Sequence, residues 1–299
     1  MKISIIGSGS FLSGYIIKEL TDRKLFLNLF GIKQDAFSGH NFNYFCVPDS
    51  PLDFNNLLDS DVIVYSAGAG IQANLKESKE LIFELNSFLP IKLANFLVFK
   101  NFSGKFISFG SFFEIGNNKE MIFYTEEMIA QSLNRAPTDY VVSKRLLTKF
   151  FSSCLGNLKY FHLILPVIYG KGENQNRLIP YLIKRIRDKT DIKLTKCQQT
   201  RQYIHASDVA SLISNICFQE YLPGIYNVSN REPVLVKNLV KTIFNVLNYN
   251  IFSDSIFGKE TREDTNMKYL LMDNAKISST FKDWTPKMSL EEGVLTYIK

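Results

Sequence analysis

Cysteine, histidine and tryptophan are scarce in this chain of 299 residues, numbering four, three and one. The cysteines Cys46, Cys154, Cys197 and Cys217 share no metal or redox spacing, so they read as reduced thiols of a cytoplasmic protein, and no metal site is expected. Nowhere do 18 apolar residues follow one another, and Met1-Lys2-Ile3-Ser4-Ile5-Ile6 breaks into glycine and serine too early for a signal peptide. Membrane insertion is therefore not expected. The net charge is +6, yet the basic residues form no uninterrupted block and no aromatic-basic interleaving, which argues against nucleic acid as a partner. The densest basic stretch, residues 184–189, reads as the solvated face of a helix. Repeats, low-complexity tracts and linkers are missing too. What is present is apolar: 45% of residues are hydrophobic and 21% charged, enough to bury a full core.

Along the chain, short β-rich runs alternate with helical periodicity, which implies α/β architecture around a Rossmann-type, doubly wound parallel sheet. Residues 2–6 read as a strand, residues 7–14 as a turn of small residues, and the following stretch as a helix. That is the entrance of a dinucleotide site, where small residues let the backbone approach a pyrophosphate and the helix N-terminus favours its charge. Gly7, Gly9, Ser10, Phe11 and Leu12 are the expected contacts. A second strand, residues 26–30, ends without an acid before Asp35. Lys33 stands there instead, which favours NADP(H) over NAD(H). Residues 61–65 form another buried strand whose small-residue end, Ser66-Ala67-Gly68-Ala69, would floor the cofactor. Helices are expected over residues 52–58, 77–100, 178–187 and 236–247, and a strand over residues 160–165.

The central stretch is residues 111–144. Phe106-Ile107-Ser108-Phe109-Gly110-Ser111 reads as a buried strand delivering a hydroxyl at its carboxyl end, where ligands of open α/β sheets sit. Tyr140 and Lys144 are four apart on a helix and so share a face. An ammonium close to a phenol favours the phenolate, which would bring proton exchange at Tyr140 toward neutral pH.

The ordered segments 7–14, 66–69, Ser111, Tyr140 with Lys144, 166–172, 201–208 and 273–293 resemble the extended short-chain dehydrogenase/reductase family, the nucleotide-sugar epimerases, dehydratases and reductases. The likeness covers essentially the whole chain. It implies a dinucleotide lobe of residues 1–165 and 201–230, with a smaller C-terminal α/β substrate lobe of residues 166–200 and 231–299. It also implies that Tyr140 exchanges a proton with a sugar oxygen, that Ser111 hydrogen-bonds that oxygen, and that Lys144 binds the nicotinamide ribose. Pro166 would line the cofactor, and Ser111, Phe112, Arg201 and Arg262 the nucleotide-diphosphate sugar, with both arginines on the diphosphate. A homodimer through helices 77–100 and 138–151 is implied as well. Ser10 and Ser13 stand where the family loop has glycines, and Leu165 where many members have arginine.

Phe112 and Phe113 occupy the positions of the acids that relatives use for dehydration, and Phe112 that of the cysteine used in epimerase-reductases. Glu114 falls one step too late for dehydration. The expected reaction is therefore hydride transfer at one carbon, either by a 4-keto-6-deoxy sugar reductase or by a 4-epimerase that retains NAD. The run Gly110-Ser111-Phe112-Phe113-Glu114-Ile115-Gly116 resembles that of some 4-ketoreductases and favours the former. A cofactor-binding sensor without turnover is the alternative of another class.

Overall fold

The computed structural model describes residues 1–33, 39–71, 75–153, 156–229, 232–249, 254–260 and 266–298; Asp35, Cys154 and Arg262 lie outside them. The strands are β1 (Ile3–Ile6), β2 (Leu27–Gly31), β3 (Asn41–Tyr44), β4 (Val62–Tyr65), β5 (Lys105–Ser111), β6 (Phe123–Tyr124), β7 (Lys159–Leu165), β8 (Val167–Tyr169), β9 (Thr200–Arg201), β10 (Tyr203–His205), β11 (Gly224–Asn227), β12 (Val234–Leu235) and β13 (Tyr269–Met272). The helices are α1 (Phe11–Asp22), α2 (Lys79–Phe83), α3 (Leu89–Phe99), α4 (Glu126–Ala130), α5 (Asp139–Ser152), α6 (Leu178–Arg187), α7 (Ala206–Phe218), α8 (Val236–Val246), α9 (Ala275–Thr280) and α10 (Leu290–Leu295).

Seven strands form one sheet in the order β11-β7-β5-β4-β1-β2-β3, parallel throughout. The strands β1, β2, β4 and β5 are buried along their whole length. That is why they read as continuous apolar runs without alternation: helices cover both faces of a parallel sheet. The chain leaves β1 in one direction for β2 and in the other for β4, so the crevice between their carboxyl ends is the switch point where ligands of such sheets bind. The half-exposed strand β3 was not legible in the sequence, and the helix expected over residues 52–58 is only a 3₁₀ turn, Phe54–Leu57.

The expected helix 77–100 is a continuous run with a π turn, Glu84–Phe88, between α2 and α3. Pro90 lacks the N–H that would close an α-turn on the Asn86 carbonyl, which accounts for a break at this place. Lys79–Phe99 has the length and mean hydropathy, 1.4, of a membrane span. Leu89, Leu93, Ala94 and Leu97, however, are buried in the core beneath the sheet.

A second core is built by Tyr169, Ile179, Leu182, Ile183, Ile186, Leu239, Val240, Ile243 and Phe244. Helix α6 turns its isoleucines inward, while Lys184 and Arg187 are exposed, the solvated face that the basic stretch suggested. Apart from the large sheet, β8 pairs with β10, and β12-β9-β13-β6 form a four-stranded sheet. Its strand β6 comes from within residues 1–165. Conversely, Ile277, Phe281 and Trp284 return to the core of the large sheet.

Candidate active site

The turn after β1 is built around Gly7, whose φ is +85° and where a Cβ would stand 2.5 Å from the Ala67 nitrogen. Only glycine fits between the first turn and the end of β4. Ser10 caps α1 by accepting from the Ser13 amide at 3.2 Å. Ser13 donates to the Gly7 carbonyl at 2.9 Å and makes a short hydrogen bond with Ser66. The serines that replace family glycines therefore use their hydroxyls to lace the turn to β4.

This turn fits a dinucleotide on its own evidence. Among the described residues nothing comes within 4 Å of a Cβ built on Gly9, so the backbone there is open to close approach. The Ser8 hydroxyl is buried and, among the described residues, unpaired, next to Gly31 at the end of β2. Of the other expected contacts, Leu12 is buried in the core and Phe11 packs edge-on against Tyr15 at 5.4 Å. Lys33 is exposed just beyond β2, Ser66 and Ala67 are half-buried, Gly68 is exposed, and Pro166 is buried after β7.

Across the crevice, Ser111 ends β5 and caps the 3₁₀ turn Phe112–Ile115, accepting from the Phe113 amide at 3.3 Å. Thr138 caps α5, which presents Tyr140 and Lys144. Lys144 is buried and its Nζ donates to the Phe109 carbonyl at 2.9 Å. Ser111, Tyr140 and Lys144 thus converge at the carboxyl edge of β5.

Their ionisation departs from the expectation for this pair. Burial pushes the Tyr140 phenol up to about 12, while the adjoining Ser111 hydroxyl pulls the other way. Burial lowers Lys144 to about 8. Desolvating the phenolate outweighs the help of its neighbours, which favours the neutral phenol.

Glu114, beneath Ser111, is fully buried, and burial raises its carboxyl to about 7. The sequence carried its signature as Ser-x-x-Glu, a capping box. Asn86 was missed altogether. The π turn carries it into the interior, where it donates to the Ala69 carbonyl at 2.8 Å and to the Ser143 hydroxyl at 3.0 Å, tying α5 to the end of β4. Arg177, at the start of α6, was passed over too; its charge reaches the Tyr140 phenol, and Glu173 holds its Nε at 3.0 Å.

Two residues expected at the substrate are engaged in the interior. Phe112 is buried in the core, and it is Phe113 whose ring stands edge-on to Tyr140 at 6.4 Å. Arg201 is buried with its guanidinium on the carbonyls of Thr200, Met267 and Lys268 at 2.5–3.0 Å, so it ties β9 to the segment before β13. Among the described residues no group of His, Cys, Asp and Glu could hold a metal ion.

The chain is similar to known proteins in both sequence and fold. CDP-abequose synthase of Salmonella typhimurium is 23% identical over 100% of this chain and 98% of its own length. That of Salmonella muenchen is 26% identical over 161 residues, about half of each chain (52% and 53%). The crystal structure of the Bordetella bronchiseptica enzyme WbmG in complex with NAD and UDP matches with a TM-score of 0.80 at 15% identity, over 99% of this chain and 93% of that one. A family model matches residues 3–229, from β1 through the site to the end of β11, and the chain belongs to the NAD dependent epimerase/dehydratase family.

Proposed function

We propose that this chain reduces a nucleotide-linked 4-keto-6-deoxyhexose, with Tyr140 as the acid, Ser111 as a second donor to the same oxygen and Lys144 on the nicotinamide ribose. The observation that carries this reading is the convergence of Ser111, Tyr140 and Lys144 at the carboxyl end of β5, with the ring of Phe113 beside Tyr140. A keto oxygen gains negative charge as its carbon accepts hydride, and a neutral phenol within reach can hand over its proton while the Ser111 hydroxyl stabilises the charge. The bound nicotinamide supplies the hydride; positioning and protonation are the protein's part.

Phe112 and Phe113 support simple reduction. One is buried and the other sets an aromatic wall beside Tyr140, so neither brings the acid or the thiol of other family chemistries. Arg177 is the better-placed cation for the substrate diphosphate, since Arg201 spends donors on backbone carbonyls. The relatives' name puts CDP first among the nucleotides. Lys33 favours NADPH as donor, with NADH the alternative. The exposed Phe88, Val142 and Leu146 on the π turn and α5 support a homodimer through these helices, expected at twice 34.3 kDa by light scattering.

The deciding experiment follows NADPH and NADH oxidation with CDP-, UDP- and dTDP-linked 4-keto-6-deoxyhexoses. Stoichiometric oxidation with one of them is the expected result. Loss of the reading would be signalled by no oxidation with any of them, together with NAD that resists dialysis and interconversion of C4 epimers.

A further inference from the structure

Behind the catalytic hydroxyls lies a carboxylate with no route to substrate. Glu114 has no exposed surface, its Oε1 accepts from the Ser111 amide at 2.6 Å, and its Oε2 accepts no hydrogen bond among the described residues. Its space is made by Gly110, where a Cβ would stand 2.8 Å from Glu114 Oε1 and 2.8 Å from His162 Nε2. The groups facing it are known from every side. From α5 come Tyr140, Lys144, Arg145 and Thr148, and from β7 comes His162. Arg145 spends its guanidinium on the carbonyls of Glu114, Asn134 and Ile115 at 2.6–3.1 Å. His162 is held neutral between the hydroxyls of Ser108 and Thr148, each at 2.8 Å. Arg145 keeps its charge in those bonds but is only half-buried; of the two cations facing Glu114, Lys144 is the buried one, its ammonium on the Phe109 carbonyl next to Gly110.

We propose that Glu114 is a positioning residue with two tasks: it fixes Ser111 at the end of β5 through the backbone, and its negative charge keeps Lys144 an ammonium inside the protein. The inference deepens the reading of Lys144 given above, but its test needs neither substrate nor turnover. The two tasks separate chemically. Glu114→Gln keeps an acceptor for the Ser111 amide and removes the charge; Glu114→Asp keeps the charge.

The test is a pH titration of carbon-13 at lysine Cε by NMR, with the Lys144 signal identified by its loss in Lys144→Met. In Glu114→Gln the midpoint of Lys144 falls by about 1 pH unit or more, as expected for loss of a near counter-charge, and in Glu114→Asp it stays within about half a unit of wild type. A midpoint in the Gln variant equal to that of wild type overturns the proposal. So does a midpoint lowered as far in the Asp variant as in the Gln variant, because the charge would then be irrelevant. Failure of the reductase reading would leave this titration unaffected.

Discussion

The Lys144 ammonium donates to the carbonyl of Phe109 at 2.9 Å, two residues before Ser111 on the same strand. Helix α5 is thereby pinned to β5 at the height of the site, so Tyr140, one turn earlier on the helix, and Ser111, one pleat later on the strand, meet.

Removing the Tyr140 hydroxyl tests the acid directly. Tyr140→Phe should lower kcat by roughly 10²–10⁴, the range of a positioned general acid, with little change in cofactor affinity. Rates from single turnovers with reduced cofactor measure it; a loss below about twofold would remove Tyr140 from the role.

Stability should depend on pH through Glu114 and Lys144. The Glu114 carboxyl rises from 4.5 to about 7 on folding, so the folded chain binds the extra proton between these values and stability falls as pH rises through that window. Lys144 drops from 10.5 to about 8, so the folded chain holds fewer protons there and stability rises from pH 8 toward 10.5. Urea unfolding of wild type against Glu114→Gln should show the first limb, of order 3 kcal/mol, only in wild type.

The two glycines of the first turn should respond oppositely. Gly7→Ala forces a Cβ into the backbone at Ala67 from a left-handed φ, a cost of about 2–4 kcal/mol visible in thermal melts. Gly9→Ala should leave the melting temperature nearly unchanged and weaken NADPH and NADH binding instead, since its Cβ would point into open space that the cofactor needs. Fluorescence titration of both reduced cofactors separates these effects.

Lys33 is exposed beyond β2, where the NADPH proposal puts a ribose phosphate. Lys33→Asp should shift the ratio of NADPH to NADH affinity toward NADH by about tenfold, the scale of one charge-assisted hydrogen bond of 1–2 kcal/mol. An unchanged ratio would place cofactor choice elsewhere.

Arg201→Met should act on folding. With its guanidinium gone, the carbonyls of Thr200, Met267 and Lys268 lose donors in the interior, and a loss of about 2–4 kcal/mol is expected in urea unfolding.

Much of this was written along the chain itself. Buried parallel strands announce themselves as apolar runs, and the Ser111, Tyr140 and Lys144 positions follow from local rules, a strand end and a helical spacing of four. The same local logic located the Gly7 turn and the amphipathic face of α6. Folding decided what depends on partners distant in sequence. Arg201, set on the diphosphate by the resemblance, donates to the carbonyls of Met267 and Lys268, partners from beyond residue 260 that no local spacing encodes. Phe112 and Phe113 are neighbours in sequence, and only the 3₁₀ turn after β5 determines that the first is buried and the second faces Tyr140. The ionisation of the site was the least legible part, since the desolvation that holds the Tyr140 phenol protonated and lowers Lys144 comes from the walls of the whole fold, which no local spacing encodes.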